Sequence, residues 1–348
     1  MNEEISSRKK EHIDLCLTDK VVFRQKTSGF ENYEFIHYAP TEVDMDKIDL
    51  SVKFLAKKIS YPFLISCMTG GTVDADNINL KLASAAESLV IPLGLGSLRY
   101  ALDTNKFDDI LIGIRDAAPS VPLLGNIGAA QILDIKVITR LEEIIKLADL
   151  DALVVHLNPL QELMQKEGEP KFAGLRKSLH ILVKELSVPV IVKEVGSGIS
   201  KQAAEELLYL GVKGIDIAGA GGTSWAGVEI LRNHNENDET TAPFWDWGLP
   251  TSYCIRKISR LKKEFKFSLI ASGGINNEFE IAKALALGAD LTASARSVLK
   301  ALFNGGVPGV FTLIHNRFQG VKKIMFLTGS SSLKELNRSK LCLRKNLC

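Results

Sequence analysis

The sequence predicts an α/β fold, a (β/α)8 TIM barrel with an N-terminal extension, and three observations lead there. Eight short apolar, β-favouring runs recur: PFLISC (62–67), IPLGLGS (91–97), PLLGNIG (122–128), ALVVHLN (152–158), PVIVKEV (189–195), GIDIAG (214–219), SLIASGG (268–274) and DLTASA (290–295). Segments with helical spacing separate most of them, including NINLKLASAAESL, ITRLEEIIKLA, FAGLRKSLHILVKEL, SKQAAEELLYLG and EFEIAKALALG, the last two with a glycine stop. Polar and glycine residues gather where the runs end. Eight strand–helix pairs over about 240 residues suit a closed barrel better than a doubly wound sheet, which needs fewer strands and a topological switch.

Composition agrees. The chain has 348 residues, 46% of them hydrophobic, enough for one large core. A net charge of +2 argues against a nucleic-acid footprint and leaves room for local basic clusters that bind a small anion. Five cysteines (Cys16, Cys67, Cys254, Cys342, Cys348) show neither CxxC nor metal-ligand spacing, which fits a reducing cytoplasm rather than a disulfide framework or zinc site. The N-terminus has no apolar targeting core, and no apolar run reaches the uninterrupted length of a membrane span, so neither membrane nor nucleic acid is expected as a partner.

In chain order, residues 1–60 read as an arm and appendage covering the site, 61–306 as the barrel and 307–348 as C-terminal helices and a tail. The cluster RKKEH (8–12) is either a solvated charge run or an arm that supplies cations to a phosphate. Residues 21–60 alternate β-like pieces with acidic turns. Beyond the sixth strand, residues 224–267 exceed an ordinary connection and read as a lid, a partner surface or a mobile loop, with WGLPT opening the next helix. After the barrel, VPGVFTLIHNRFQGVKKIMFLTG reads as an amphipathic helix stopped at Gly329. Ser332 with Glu335 forms a capping-box pattern for a short final helix, and RSKLCLRKNLC should fray.

A TIM barrel carries its active site at the carboxyl ends of its strands. Strand one ends in Met68, Thr69, Gly70, Gly71, strand two in Gly96, Ser97, Leu98, Arg99, and strand three in Asn126. Strand four, LVVHLNPLQE, turns from apolar backbone to His156, Asn158, Gln161 and Glu162 within a few residues. His156 and Asn158 share a face. Asn158 could equally be a helix N-cap, with Pro159 at the first helical position and Gln161 completing a capping box. Strand five ends at Lys193, an ammonium in an apolar run that needs an anion or electron-rich partner; Glu194 points to the other face. Glycines after strands six and seven (Gly219, Gly221, Gly222, Gly273, Gly274), with Ser294 and Ala295 after strand eight, suit a phosphate cradle, though tight packing also selects glycine.

These motifs together resemble type II isopentenyl-diphosphate isomerase, the FMN-dependent family. The likeness spans nearly the whole chain: RKKEH, MTGGT (68–72), GSLR (96–99), HLNPLQE (156–162), KEVGSG (193–198), GAGGTSW (219–225), WGLPT (247–251), ASGGI (271–275) and ALALGAD (284–290). The resemblance implies that Met68, Thr69, Gly70, Ser97, Asn126, Lys193 and Thr223 line FMN, and that Gly273, Gly274, Ser294 and Ala295 hold its phosphate. Arg8, Lys9, His12, Ser97, Leu98 and Arg99, joined by His156 and Asn158, would bind the substrate diphosphate. Gln161 would lie near the allylic carbon and Glu162 would ligate Mg2+. It implies NADPH as the reductant that primes the flavin, and a homo-oligomer, tetramer or octamer. Two departures stand out: Ala218 where the family often has Ser, and Asn276 where a basic residue frequently follows SGGI.

The expected reaction adds a proton at one carbon and removes one at another, with no net redox change. No Asp or Glu of the motifs is aimed at carbon, so reduced FMN is the expected principal acid/base, with Lys193 tuning the ring and Gln161 positioning or relaying the proton. The rivals are an FMN-dependent 2-hydroxy acid oxidase or dehydrogenase, which leaves the Arg8/Lys9 arm unexplained, and a silent flavin-binding barrel, which leaves HLNPLQE unexplained.

Overall fold

In the computed structural model, which describes residues 3–68, 70–234 and 236–347, the eight runs form one closed parallel barrel. Its strands are β1 (Phe63–Ile65), β2 (Leu93–Ser97), β3 (Leu123–Gly128), β4 (Ala152–Leu157), β5 (Val190–Glu194), β6 (Gly214–Asp216), β7 (Ser268–Ala271) and β8 (Leu291–Ser294). They pair in sequence order, and β8 closes on β1 through Thr292 opposite Phe63. The two-residue period sorts their side chains. Leu64, Leu124, Val154, Ile191 and Ile270 fill the barrel interior, while Phe63, Leu123, Val155 and Val192 face the surrounding helices.

Short polar side chains start several helices by accepting a first-turn N–H. Thr72 does so for α1 (Val73–Leu89), Ser224 for α3 (Trp225–Arg232) and Asn277 for α4 (Glu278–Ala286). The helix α2 (Pro159–Met164) follows β4, and α5 (Arg296–Leu327) follows β8. By length and composition α5 could cross a membrane. It is, however, two helical pieces that meet at Gly306 (φ 60°, ψ −155°), two residues before Pro308, and Val310, Ile314, Phe318 and Val321 bury it in the core.

The residues before the barrel serve both of its ends. The arm helix, Glu3–Leu17, lies at the mouth. At the opposite, amino-terminal end, Val52–Phe54 and Lys57–Ile59 form an antiparallel hairpin whose Phe54 and Ile59 join the interior cluster and plug the barrel. The long segment after α3 is neither a lid nor a free loop over most of its length. Its Asp246 Oδ1 accepts the backbone N–H of Arg24, Gln25 and Lys26 at 3.0–3.2 Å, and the buried Trp245 Nε1 donates to Val22 O at 2.9 Å. It clamps the linker between arm and barrel.

Two expectations for the C-terminus are corrected. Ser332 and Glu335 close a single turn rather than a helix, because the Glu335 carboxylate is taken by the N–H and hydroxyl of Ser331. The tail is ordered: Leu341–Leu343 pairs antiparallel with Tyr33–Phe35, whose edge offers free backbone groups. Gly329, at φ 61°, ends α5 as expected, with Ser330 N donating to Met325 O.

Removing the plug's largest anchor should cost core packing. Phe54→Ala is expected to lower the unfolding free energy by about 3 kcal/mol or more in urea titrations, the usual cost of such a truncation; a loss below about 1 kcal/mol would mean the hairpin is not seated in the interior.

Candidate active site at the barrel mouth

A cavity of about 440 Å3 opens at the carboxyl ends of the strands. The arm forms part of its wall. Arg8, Lys9 and His12 come from the arm, Met68, Gly70, Ser97, Arg99 and Asn126 from the first three strand ends, and His156, Asn158, Gln161 and Glu162 from the fourth. Lys193, Thr223, Gly273, Gly274, Ser294 and Ala295 complete it from the remaining strands. Thr69 lies outside the described residues. Leu98 is the exception among the anticipated site residues: its side chain is buried in the core and its N–H is committed to Asn126 O at 2.7 Å. A register shift between Gly94 and Ser97 re-aims the end of β2 at this point.

The two readings of strand four separate cleanly. Asn158 occupies the N-cap position of α2 and Pro159 follows it, but the Asn158 side chain makes no cap bond. Its amide donates to Glu162 Oε1 at 2.9 Å and, more weakly, to Gln161 Oε1 at 3.4 Å. Nor does Gln161 reach back to complete a capping box. Its Nε2 donates to Glu229 Oε1 at 3.1 Å. These side chains are turned toward the cavity at the expense of the helix end.

Glu229, on α3, was not singled out from the sequence, and it organises the mouth. Its side chain is fully buried, and it accepts from His12 Nε2 at 2.9 Å, from Gln161 and from Arg232. Burial pushes this carboxyl up, but the His12 and Gln161 bonds and the Arg232 charge outweigh it, leaving the group below the ordinary carboxylate range. Arg232 also holds Glu11 of the arm at 3.0 Å. The His12 ring stands edge-on to Trp225 at 5.2 Å.

The arm's cations are crowded. Lys9 donates to Gly70 O and lies 3.8 Å from the centre of the Tyr100 ring. Burial, then the neighbouring Arg8 and Arg99, bring its pKa down to about 7. The Arg8 Nε is buried with no partner among the described residues. Three positive groups converging with an unsatisfied donor among them make a receptor for a multivalent anion.

Across the barrel the groups differ. Lys193 is 7% exposed and donates to Glu194 O at 2.7 Å; Asp216, its neighbour on β6, accepts from the Ser272 hydroxyl. Burial raises the Asp216 carboxyl, against the pull of Lys193. Burial also lifts Glu194 to about 7, although its carboxylate accepts three successive N–H groups, of Val195, Gly196 and Ser197. His156 Nδ1 donates to Asn126 Oδ1 at 3.0 Å, so Nε2 is left as an acceptor. Burial and the nearby Lys193 hold this ring near pKa 3. It is neutral, and so adds no charge for a diphosphate.

The residues present fit FMN. Gly273 and Gly274 sit at φ 93° and 67°, and a Cβ on either would collide with the backbone of residues 219–222. Tight packing therefore does select these glycines. It also leaves the N–H groups of Gly273, Gly274 and Ile275 without a hydrogen-bond partner among the described residues. The amino end of α5, beginning at Arg296, has no side-chain cap, so a second set of amides suits a phosphate there. For a divalent ion the fit is narrower. Glu162 borders the cavity, and no group of three His, Cys, Asp or Glu side chains that could cage a metal occurs among the described residues. One carboxylate suits Mg2+ that keeps most of its water and leans on phosphate oxygens.

Comparison with known proteins agrees with this geometry. The model of the FMN-dependent dehydrogenase family matches residues 1–104 and 155–343. An isopentenyl-diphosphate delta-isomerase of Pelodictyon phaeoclathratiforme is 41% identical over 351 residues, covering 98% of this chain and 98% of its own. Enzymes of the same name from Pyrococcus furiosus and Vibrio parahaemolyticus are 42% and 44% identical over 95% and 85% of this chain, and over 85% and 87% of their own. Among solved structures, a flavocytochrome b2 variant superposes with a TM-score of 0.71 at 19% identity, over 96% of this chain and 83% of its own. A mandelate oxidase variant gives 0.65 at 16%, over 98% of each chain. At such low identity these two share the fold alone.

The Lys9 geometry has a pH signature. Its ammonium is the anion-binding form, present below about pH 7 in the free protein and lost above it. Affinity for inorganic diphosphate, measured calorimetrically from pH 6 to 9, should fall above pH 7 by up to about tenfold per unit relative to Lys9→Met, until the bound-state pKa is reached. Identical pH profiles for the two proteins would remove Lys9 from the anion site.

Proposed function

Because the chain belongs to the isopentenyl-diphosphate delta-isomerase family and is a type 2 enzyme of it, we propose that its cavity holds FMN and a substrate diphosphate side by side. The reaction is the interconversion of isopentenyl and dimethylallyl diphosphate in isoprenoid biosynthesis.

One observation supports the acid/base reading: the buried ionisable side chains around the mouth are already engaged, and so is Glu162 in the cavity wall, whose oxygens accept from Asn158 Nδ2 and the Glu169 N–H. Glu229 is satisfied by three donors, Glu194 by three backbone amides, Asp216 by Ser272, and His156 is neutral with its Nδ1 proton on Asn126. None of them stands free to move a proton to and from carbon. Reduced FMN, primed by NADPH, supplies that proton donor and acceptor.

The protein's part is positioning. Met68, Gly70, Ser97, Asn126, Lys193 and Thr223 would hold the ring, and Gly273, Gly274, Ser294 and Ala295 its phosphate. Arg8, Lys9 and Arg99, with His12, Ser97 and Asn158, would hold the diphosphate, and Glu162 would hold Mg2+ against it. Gripping the charged head fixes the hydrocarbon tail without touching the reacting carbons. Gln161 spends one N–H on Glu229 and keeps the other, with a carbonyl lone pair, to orient the migrating proton. The arm with Trp225 keeps water from the short-lived cationic centre. The free thiols of Cys16, Cys67, Cys254 and Cys342 support a cytoplasmic setting, and the family likeness supports a homo-oligomeric tetramer or octamer.

The assay is anaerobic incubation of isopentenyl diphosphate with FMN, Mg2+ and NADPH, reading dimethylallyl diphosphate formed. Gln161→Asn should lower kcat about 100-fold with FMN affinity little changed. Lys193→Ala should instead weaken FMN binding, and Arg8→Ala should raise KM about tenfold or more. Parent-like kinetics in all three would sink the assignment. Separately, Glu162→Gln should raise the Mg2+ needed for half-maximal rate by at least about tenfold; an unchanged requirement would place the ion elsewhere.

A further inference from the structure

We propose that Arg317, on α5 behind the barrel mouth, is a positioning residue for the phosphate of FMN; the inference rests on the cofactor reading above. Arg317 is 8% exposed, and no carboxylate lies within 4 Å of its guanidinium among the described residues. Its hydrogen-bond partners are neutral: Nη1 donates to Ser297 Oγ at 3.1 Å and Nη2 donates to Asn276 O. Glu280 and Glu278 of α4 act on it only from a distance, and Glu280 already accepts the Asn276 N–H. A buried guanidinium without a contacting counter-charge is costly, and an anion bound nearby offsets that cost.

Both of its acceptors belong to residues in the cavity wall, at the end where the free amides of residues 273–275 and the uncapped start of α5 converge. Hydroxyl accounting extends the contact. Ser297 Oγ lies 2.7 Å from Ser294 Oγ. Arg317 takes one lone pair of Ser297 and either hydroxyl can donate in the serine pair; where Ser297 donates, the Ser294 proton is left for a ligand. Arg317 thus holds the hydroxyl next to Ser294 in the cavity wall and adds positive field behind it. The other arginine at this end cannot do so, because Arg296 is spent on Cys16 O, Thr18 O and Asp19 of the arm's base. Asn276 brings no charge of its own.

The test compares two flavins that differ only by the phosphate. Quenching titrations on the full-length protein give the dissociation constants of FMN and riboflavin for the parent, Arg317→Met and Arg317→Lys. The proposal expects Arg317→Met to lose about tenfold in FMN affinity with riboflavin binding unchanged, and Arg317→Lys to fall between. Adding Asn276→Arg to the Met variant should recover FMN binding and leave riboflavin where it was. Equal losses for both flavins would reduce Arg317 to a packing role and overturn the proposal, as would FMN binding that ignores the substitution. Should the Met variant not fold, the Lys variant decides by the same comparison. A parent protein that binds neither flavin would instead overturn the cofactor reading beneath it.

Discussion

One buried carboxylate sets the relation between the parts of this mouth that come from distant stretches of chain. Glu229 joins the arm through His12, strand four through Gln161 and its own helix through Arg232, which in turn reaches Glu11. Each donor satisfies part of a group that would be expensive to leave alone in the interior. The arm is therefore not held only by apolar contact. Its register over the cavity follows from a hydrogen-bond count, and a helix slid by one turn would strand a charge.

The electrostatics of the cavity favour a ligand over an empty state. Lys9 is brought from 10.5 in a free chain to about 7 in the fold. Between those values the unfolded chain binds more protons, so this residue's contribution to stability falls as pH drops from 10.5 toward 7, and its penalty is complete below that. An anion that restores the Lys9 charge to favour recovers that loss. On the other side burial disfavours charge as well, lifting Glu194 to about 7 and holding His156 near 3. Burial has been tolerated where binding benefits.

The barrel was legible because its signal is periodic and local. Short apolar, β-favouring runs and the helical spacing between them located every strand, and polar residues at the strand ends gave the mouth. The strand-four set and Lys193 were legible as polar residues at the ends of apolar runs, whereas the Arg8/Lys9 cluster read equally as a solvated charge run and was singled out only through the family resemblance. Glu229 and Asp216 were not, since nothing in the spacing of a helical GVEILR or a strand GID says what lies across the fold. The same limit hid the hairpin plug and Arg317, whose roles depend on contacts outside their own elements, such as that of Arg317 with Asn276. Asn158 shows a different difficulty: the pattern offers a helix cap, and other neighbours in the same turn, Glu162 and Gln161, take the side chain instead.

The pairing of Leu341–Leu343 with Tyr33–Phe35 ties the far end of the polypeptide to the stretch from which the arm departs. On the ribosome Leu341–Leu343 emerges only after every barrel strand, so its pairing with Tyr33–Phe35 forms late. A chain lacking Leu341–Leu343 would keep all eight barrel strands and the bonds that hold the arm to Glu229 and Arg232, and would leave the Tyr33–Phe35 edge bare. A tag fused next to Leu343 would crowd that same edge, a practical reason to place it elsewhere.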